Sequence, residues 1–549
     1  MTRQRTTGDA LVEGLMAHGV DMVFGLPGVQ AYALFDALAK VQDRITVIGA
    51  RHEQTCGYMA YGYARSTGRP GVLAVVPGPG VLNASAAMLT GYGSSTPMVC
   101  IAGDIPSSAL HRGLGHVHEL PDQLATLRSF TKWAGAVTHP AHAPGVLSEA
   151  FWQATSGRPR PAAVSVPWDV MAQSAPVLEP APREVVAPEI DPADLDEAVA
   201  LLRSARNPMI MVGSGAQDAS AAVAELAELL AAPVVSLRGG RGVVSAEHPS
   251  AMNSAEGFER WSDTDVLLAV GTRQELVWFR WPDRPKGLKT INLDIDPEQH
   301  ARLQPTVGLT GDASDGVAAL LERLRTDQPR PSRRAEFDAA RQSVRDRLTA
   351  SLQPHTEYLA AIRAVLPDDG FFVDEISQVG FASLVAFPVR NPRTFISSGS
   401  QATLGFGFPT ALGVKAAHPS SPVVSITGDG GFLFAATELA TAVQYNLDVV
   451  TIVFTNNAYG NVLADQQRLF NGRALAAELH NPDFVALARS FGADGHRAEN
   501  PEQLRATLDK ALGAGRPAVI EVPMPLDTDS SPWPFLLPPS RTAATTPNP

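Results

Sequence analysis

Short apolar runs closed by glycine, aspartate or asparagine recur along the chain at 72–80 (VLAVVPGPG), 98–104, 208–215, 266–273, 423–431 and 449–457, and they alternate with stretches in helical spacing. Runs of this length with no polar alternation predict strands buried on both faces, and the alternation with helices predicts parallel sheets covered on both sides. The fold class expected is therefore α/β, with three doubly wound parallel-sheet domains. Ligands of such sheets bind at the carboxyl ends of the strands, so the residues that close each run become the first candidates for chemistry.

Two shifts in composition divide the pattern. Residues 175–192 are rich in proline and charge and read as an exposed, extended linker; a second shift spans 326–354, where QPRPSRR gives way to the charged amphipathic stretch 335–352, expected to be a helix. The resulting domains are 1–174, 193–325 and 355–525, with a tail at 526–549 that is rich in Pro, Ser and Thr. Within the tail, Trp533 and Phe535 are bulky enough to be expected to pack against something. A length of 549 residues suits three domains. With 45% hydrophobic and 18% charged residues the chain is expected to fold, and a net charge of -12 without clustered Lys and Arg argues against a nucleic-acid partner. The two cysteines, Cys56 and Cys100, form no disulfide framework and no metal-ligand spacing, and no run of about 18 apolar residues or signal-like N-terminus appears. The expectation is a cytoplasmic protein with no membrane partner.

The run at 423–431 ends in Gly428-Asp429-Gly430-Gly431, and the one at 449–457 ends in Asn456-Asn457. If the two strands are neighbours, the Asp429 carboxylate and the Asn456 amide oxygen come together as hard oxygen ligands for a magnesium ion that also holds phosphate oxygens. The glycines let the backbone approach a diphosphate closely. Read alone, these could be two tight turns. Near the N-terminus, VFGLPG precedes Arg51-His52-Glu53-Gln54 at the start of a helical stretch, where Glu53 alone could be a carboxylate stabilised by a helix N-terminus.

The order along the chain decides between these readings. Pro27-Gly28, Arg51-His52-Glu53, Pro77-Gly78-Pro79-Gly80 with Asn83, then Gly428-Asp429-Gly430 and Asn456 together resemble the acetolactate synthase, pyruvate oxidase and benzoylformate decarboxylase group of thiamine diphosphate enzymes, over nearly all of residues 1–525. The resemblance implies a pyrimidine-binding, a central and a diphosphate-binding domain, with active sites shared between the subunits of a homodimer or homotetramer. It implies thiamine diphosphate and Mg2+ as cofactors. The metal ligands would be Asp429, Asn456 and the carbonyl of Ala458, followed by Tyr459-Gly460. Glu53 would be the carboxylate that hydrogen-bonds the cofactor's pyrimidine ring, Leu404 the apolar residue that props the bent cofactor, and Ser377 and Gln378, after Glu375, contacts to it.

The implied reaction is carboligation or cleavage of 2-oxo acids, with aldehydes as second substrates or products, through a C2 carbanion and an enamine. Several residues depart from the synthase pattern. His118 in Gly115-His116-Val117-His118-Glu119 stands where synthases have glutamine, and a histidine there could carry a proton. Lys132 matches a synthase lysine. Asn461 to Gln467 differ, and Arg468 and Arg473 are read as exposed arginines. In the central domain Val212-Gly213-Ser214-Gly215 and Asp294-Ile295-Asp296 look nucleotide-binding, whereas the two stretches that hold FAD in the family have drifted to 253–257 and 273–276; the reading favours a domain without tight FAD binding. The alternatives are a 2-oxo acid decarboxylase releasing an aldehyde, a flavin-dependent oxidase, and a catalytically silent paralogue.

Overall fold

A computed structural model of the chain describes residues 2–328, 330–526 and 530–540. These residues form three six-stranded sheets, parallel throughout, and one two-stranded antiparallel ribbon. Across the first sheet the strands run Thr46–Gly49, Met22–Gly25, Gly71–Val75, Met98–Asp104, Ala162–Pro167 and Trp133–Ala136. The second runs Ala251–Asn253, Val234–Ser236, Pro208–Val212, Val266–Val270, Lys289–Asp294 and Val307–Thr310. The third runs Phe395–Ile396, Phe371–Val373, Val423–Gly428, Val450–Thr455, Ala518–Pro523 and Asp494–Arg497. All six apolar runs singled out in the sequence contain strands of these sheets.

Each sheet reverses its direction of growth early in its course, and the first and third reverse again where Ala162–Pro167 and Ala518–Pro523 insert inside the edge strands Trp133–Ala136 and Asp494–Arg497. The chain leaves Met22–Gly25 toward one edge and returns past it to Gly71–Val75; it does the same between Pro208–Val212 and Val266–Val270, and between Phe371–Val373 and Val423–Gly428. At such a reversal the loops leaving the two central strands diverge to opposite faces and open a crevice at their carboxyl ends. Every residue of Gly71–Val75 and Met98–Asp104 is buried, as is all but the last of Val423–Gly428. That is why these strands lack polar alternation.

The first and third sheets are docked within the chain by two helices, Glu53–Thr67 and Gly407–Ala417. Their backbones cross almost in contact: a Cβ added at Gly62 would lie 2.2 Å from the Thr410 carbonyl oxygen, and one at Gly413 would lie 2.0 Å from that of Met59. Beside the crossing, Tyr58 and Tyr61 both meet Phe406 edge-on at 5.4 Å, pairs worth about 0.5–1.5 kcal/mol each beyond their burial. One apolar cluster runs continuously from Phe24 through Tyr58 and Phe406 to Val519. The central domain is tied to the third by buried Arg241, which donates to the carbonyls of Ser383, Leu384 and Phe387.

The presumed linker needs correction at its start. Ser174–Leu178 pairs antiparallel with Thr2–Thr6, because Ala175 and Val177 alternate inward and are buried. Residues 179–191 carry no regular structure. The amphipathic stretch beyond the second boundary is the helix Arg334–Ser351. Of the tail, 527–529 and 541–549 lie outside the described residues. Trp533 packs on Phe381 and donates to the Asn461 amide oxygen at 3.0 Å, and Phe535 is buried.

The glycine crossing should not tolerate a methyl group. Gly413→Ala forces the two helices apart, an overpacking cost of about 1–3 kcal/mol, and is expected to lower the thermal unfolding midpoint measured by calorimetry. An unchanged midpoint would mean that the crossing is looser than described.

Candidate active site

At the reversal of the first sheet, Leu26-Pro27-Gly28 follows one central strand and Val76-Pro77-Gly78 the other. The two loops touch, since a Cβ on Gly28 would come within 2.4 Å of Val76 Cγ1. Gly78 has φ +56° and faces the His118 carbonyl oxygen, 2.5 Å from where a Cβ would stand, so both its conformation and its neighbour require glycine. Its N–H donates to Gln123 Oε1, and Gln123 in turn donates to the Gly103 carbonyl and to Ser165 Oγ. Ser165 donates to Asp104, whose carboxyl is pushed up by burial despite that bond.

Glu53 opens the helix Glu53–Thr67 behind the N-cap His52. Its side chain is buried at 8% exposure. Asn83, on the helix Pro79–Gly93, donates from Nδ2 to Glu53 Oε2 at 3.0 Å. Oε1 lies over Gly80, 3.5 Å from the position of an added Cβ, and accepts no hydrogen bond among the described residues. His118, itself in a left-handed conformation at φ +67°, completes this cluster with Gln30 against its ring.

The second cluster forms at the reversal of the third sheet. Asp429 Oδ1 accepts from the Gly430 N–H, while Oδ2 accepts from the N–H groups of Asn456 and Asn457 and from Asn481 Nδ2. Burial raises its carboxyl above the usual range, and these donors pull it back. Asn456 Oδ1 accepts from the Ala458 N–H at 3.1 Å. Residues 457–459 pair with 477–479 through Tyr459 N–H to the Ala477 carbonyl and Leu479 N–H to the Asn457 carbonyl. This hairpin lays the Tyr459 ring on Gly430, where a Cβ would meet Cε1 at 2.4 Å. Gly460 begins the helix Gly460–Leu469, and Ser377 caps Gln378–Ala386 by accepting from the Gly380 N–H.

Glu375, fully enclosed beneath Gly431, accepts from the Gly405 and Gly407 N–H groups at 2.5 and 2.9 Å and so fixes the loop carrying half-buried Leu404. Burial pushes Glu375 up to about 7 against those donors. Two acceptors in the cluster are buried without a partner, Gln378 Oε1 and Asn481 Oδ1. Among the described residues no group of three or more His, Cys, Asp or Glu forms. The Asp429 carboxylate and the Asn456 amide oxygen are hard oxygen donors of the kind a divalent ion takes together with phosphate oxygens.

Gln30 and Asn481 were not singled out from sequence. Gln30 could have been, two residues beyond Pro27-Gly28 in the same loop, whereas Asn481 sits in a polar stretch with no pattern to mark it. Lys132 lies elsewhere, donating to the carbonyls of Ser156 and Arg158. Arg468 pairs with Asp465, Arg473 is exposed, and His116 is an exposed loop residue. No hydrogen bond or ion pair among the described residues joins Glu53 or His118 to Asp429 or Asn456.

A cavity of about 470 Å³ opens at the reversal of the central sheet, between Gly213, Gly271, Arg158, Arg238 and Arg273. The buried Nε of Arg65, on its wall, has no hydrogen-bond partner, which suits an anionic occupant. None of the residues of the two clusters lines it.

Three family models match the chain: thiamine pyrophosphate enzyme, N-terminal TPP binding domain, over 5–126; the central domain over 195–320; and the C-terminal TPP binding domain over 375–522. A probable 2-ketoarginine decarboxylase of Pseudomonas aeruginosa is 35% identical, covering 94% of both chains. The large subunits of acetolactate synthase isozymes 1 and 3 of Escherichia coli are 29% and 31% identical, covering 98% and 92% of this chain and 97% and 92% of their own.

Glu375 keeps its proton in the folded chain up to about pH 7 and loses it near 4.5 once unfolded, so the folded state binds more protons between these values and stability falls as pH rises through them. Glu375→Gln is expected to flatten the decline of the unfolding midpoint between pH 5 and 7, measured by thermal denaturation across that range. An identical slope in the variant would assign the decline to other groups.

Proposed function

Since this chain belongs to the thiamine pyrophosphate enzyme family, we propose that it is a thiamine diphosphate- and magnesium-dependent enzyme that cleaves 2-oxo acids and joins the resulting fragment to a second carbonyl compound. One observation carries the reading: a buried glutamate, Glu53, with one oxygen held by Asn83 and the other left without a hydrogen bond beside Gly80. With no hydrogen-bond partner among the described residues, the open Oε1 has the position and chemistry to hydrogen-bond a ring nitrogen. A catalytically silent paralogue has no use for this arrangement.

When bound, thiamine diphosphate supplies the nucleophilic carbon and the electron sink that the cleavage needs. Asp429, the Asn456 amide oxygen and the Ala458 carbonyl are the proposed magnesium ligands. Gly428, Gly430 and Gly431 bring backbone close to the diphosphate, with Ser377, Gln378, Tyr459 and Gly460 around it. Pro27, Gly28, Pro77, Gly78 and Asn83 shape the pocket around Glu53, and Leu404 props the cofactor from a loop that Glu375 holds rigid. His118 is the proposed proton carrier at the substrate. Because the two stretches that hold FAD in the family have drifted at 253–257 and 273–276, turnover is proposed to need no FAD.

A second copy of the chain completes the site in this reading. The Glu53 and Asp429 clusters are unconnected within one chain, and each is bordered by exposed apolar side chains, Leu82, Leu114 and Val117 on one domain and Phe434, Leu469 and Leu475 on the other. Such surface is usual where subunits meet. A homodimer or a tetramer built from it supplies both halves. The cytoplasmic reading rests on free, buried Cys56 and Cys100; among the described residues no helix is long and apolar enough to cross a membrane.

Release of an aldehyde without ligation is the second reading, favoured by the histidine at 118 and by the 35% identity to a probable 2-ketoarginine decarboxylase. The two are separated by product analysis of purified enzyme given thiamine diphosphate and Mg2+ with pyruvate, 2-ketoarginine and other 2-oxo acids, with and without FAD. An acetohydroxy acid or hydroxyketone formed without FAD establishes ligation; aldehyde alone establishes decarboxylation. In either case Glu53→Gln is expected to lower turnover by at least about 100-fold while cofactor still binds. Full activity of that variant would remove the catalytic assignment.

A further inference from the structure

Gln30 is 6% exposed, and both ends of its amide are committed: Nε2 donates to the Val117 carbonyl at 3.0 Å, and Oε1 faces His118 Nδ1 at 3.0 Å. The reverse orientation would set two oxygens against each other at Val117, so the carbonyl end must face the imidazole. A carbonyl oxygen only accepts. His118 Nδ1 must therefore carry the proton, which leaves the lone pair of the neutral ring on Nε2.

The loop bearing His118 has little else to orient the ring. Residues 111–117 are exposed, Gly113 and Gly115 have positive φ, and His118 itself is held at φ +67°, a conformation uncommon for a residue with a Cβ. Its carbonyl packs against Gly78, two residues before Gly80, over which Glu53 Oε1 lies. The Gln30 amide spans the turn from 117 to 118, so one side chain fixes both the loop backbone and the ring.

We infer that Gln30 is a positioning residue that holds His118 as its Nδ1–H tautomer, presenting Nε2 to the substrate as the site of proton transfer. This rests on the proposed role of His118 at the reacting carbonyl. In one step Nε2, protonated from solvent, gives its proton to the carbonyl oxygen of the 2-oxo acid as that oxygen becomes a hydroxyl; in a later step the restored Nε2 lone pair takes the proton back as the product carbonyl forms, and the Gln30 carbonyl stabilises the imidazolium through the same Nδ1–H. The ring ends as it began.

The test is a double-mutant cycle in the full-length enzyme with thiamine diphosphate and Mg2+, measuring kcat and KM on the best 2-oxo acid, with thermal midpoint and cofactor affinity as controls on folding. His118→Ala is expected to lower kcat about 100-fold or more. Gln30→Leu is expected to lower it about 10-fold in the presence of His118, with KM little changed, and to have no effect in the His118→Ala background. An equal loss in both backgrounds, or none with His118 present, would overturn the inference for Gln30 and leave His118 standing. An unaffected His118→Ala enzyme would overturn the His118 role, and the inference with it.

Discussion

Burial of the inner strands of each sheet on both faces is the constraint from which the rest of this molecule follows. A parallel sheet covered by helices has no room for polar chemistry along its strands, so each functional side chain must stand beyond a strand's carboxyl end. The first reversal of strand order in each sheet then selects where. Pro27 and Pro77 flank one reversal, Glu375 and Asp429 another, and Gly213 and Gly271 the third. Three crevices arise from one architectural rule. Two hold the clusters around Glu53 and Asp429, and the third is the arginine-lined cavity of the central domain.

The buried carboxylates divide by how many donors they receive. Glu375 accepts from two backbone N–H groups and is enclosed, and its work is to shape the loop around Leu404. Asp429 accepts four N–H bonds and joins two strand ends. Glu53 accepts one, from Asn83. Glu53, with one oxygen open, has capacity for a ligand within the chain as it stands, whereas the donors on Asp429 fix its carboxylate at the junction of two strand ends. Geometry thus separates roles that composition does not.

Strands were legible in the sequence because continuous apolar runs closed by glycine have few alternatives, and Asp429 and Asn456 were legible because they end two such runs. Glu53, Asn83 and Gly78 came from order along the chain and not from any local pattern. The early part of 175–192 was misjudged because proline and charge outweighed the short alternation of Ala175 and Val177 that pairs it with the N-terminal strand. Gln30 and Asn481 escaped for another reason. Their contacts, to His118 and to Asp429, span 88 and 52 residues, and no spacing in a sequence encodes a hydrogen bond between loops of that separation.

The close crossing of Glu53–Thr67 with Gly407–Ala417 has a further effect. Glu53 begins the first of these helices, and the second follows the loop that carries Leu404, so backbone in near contact joins the element bearing one cluster to the element beside the other. In the proposed dimer, where Glu53 of one chain would serve the Asp429 cluster of the other, a displacement at one centre would reach the second through this crossing.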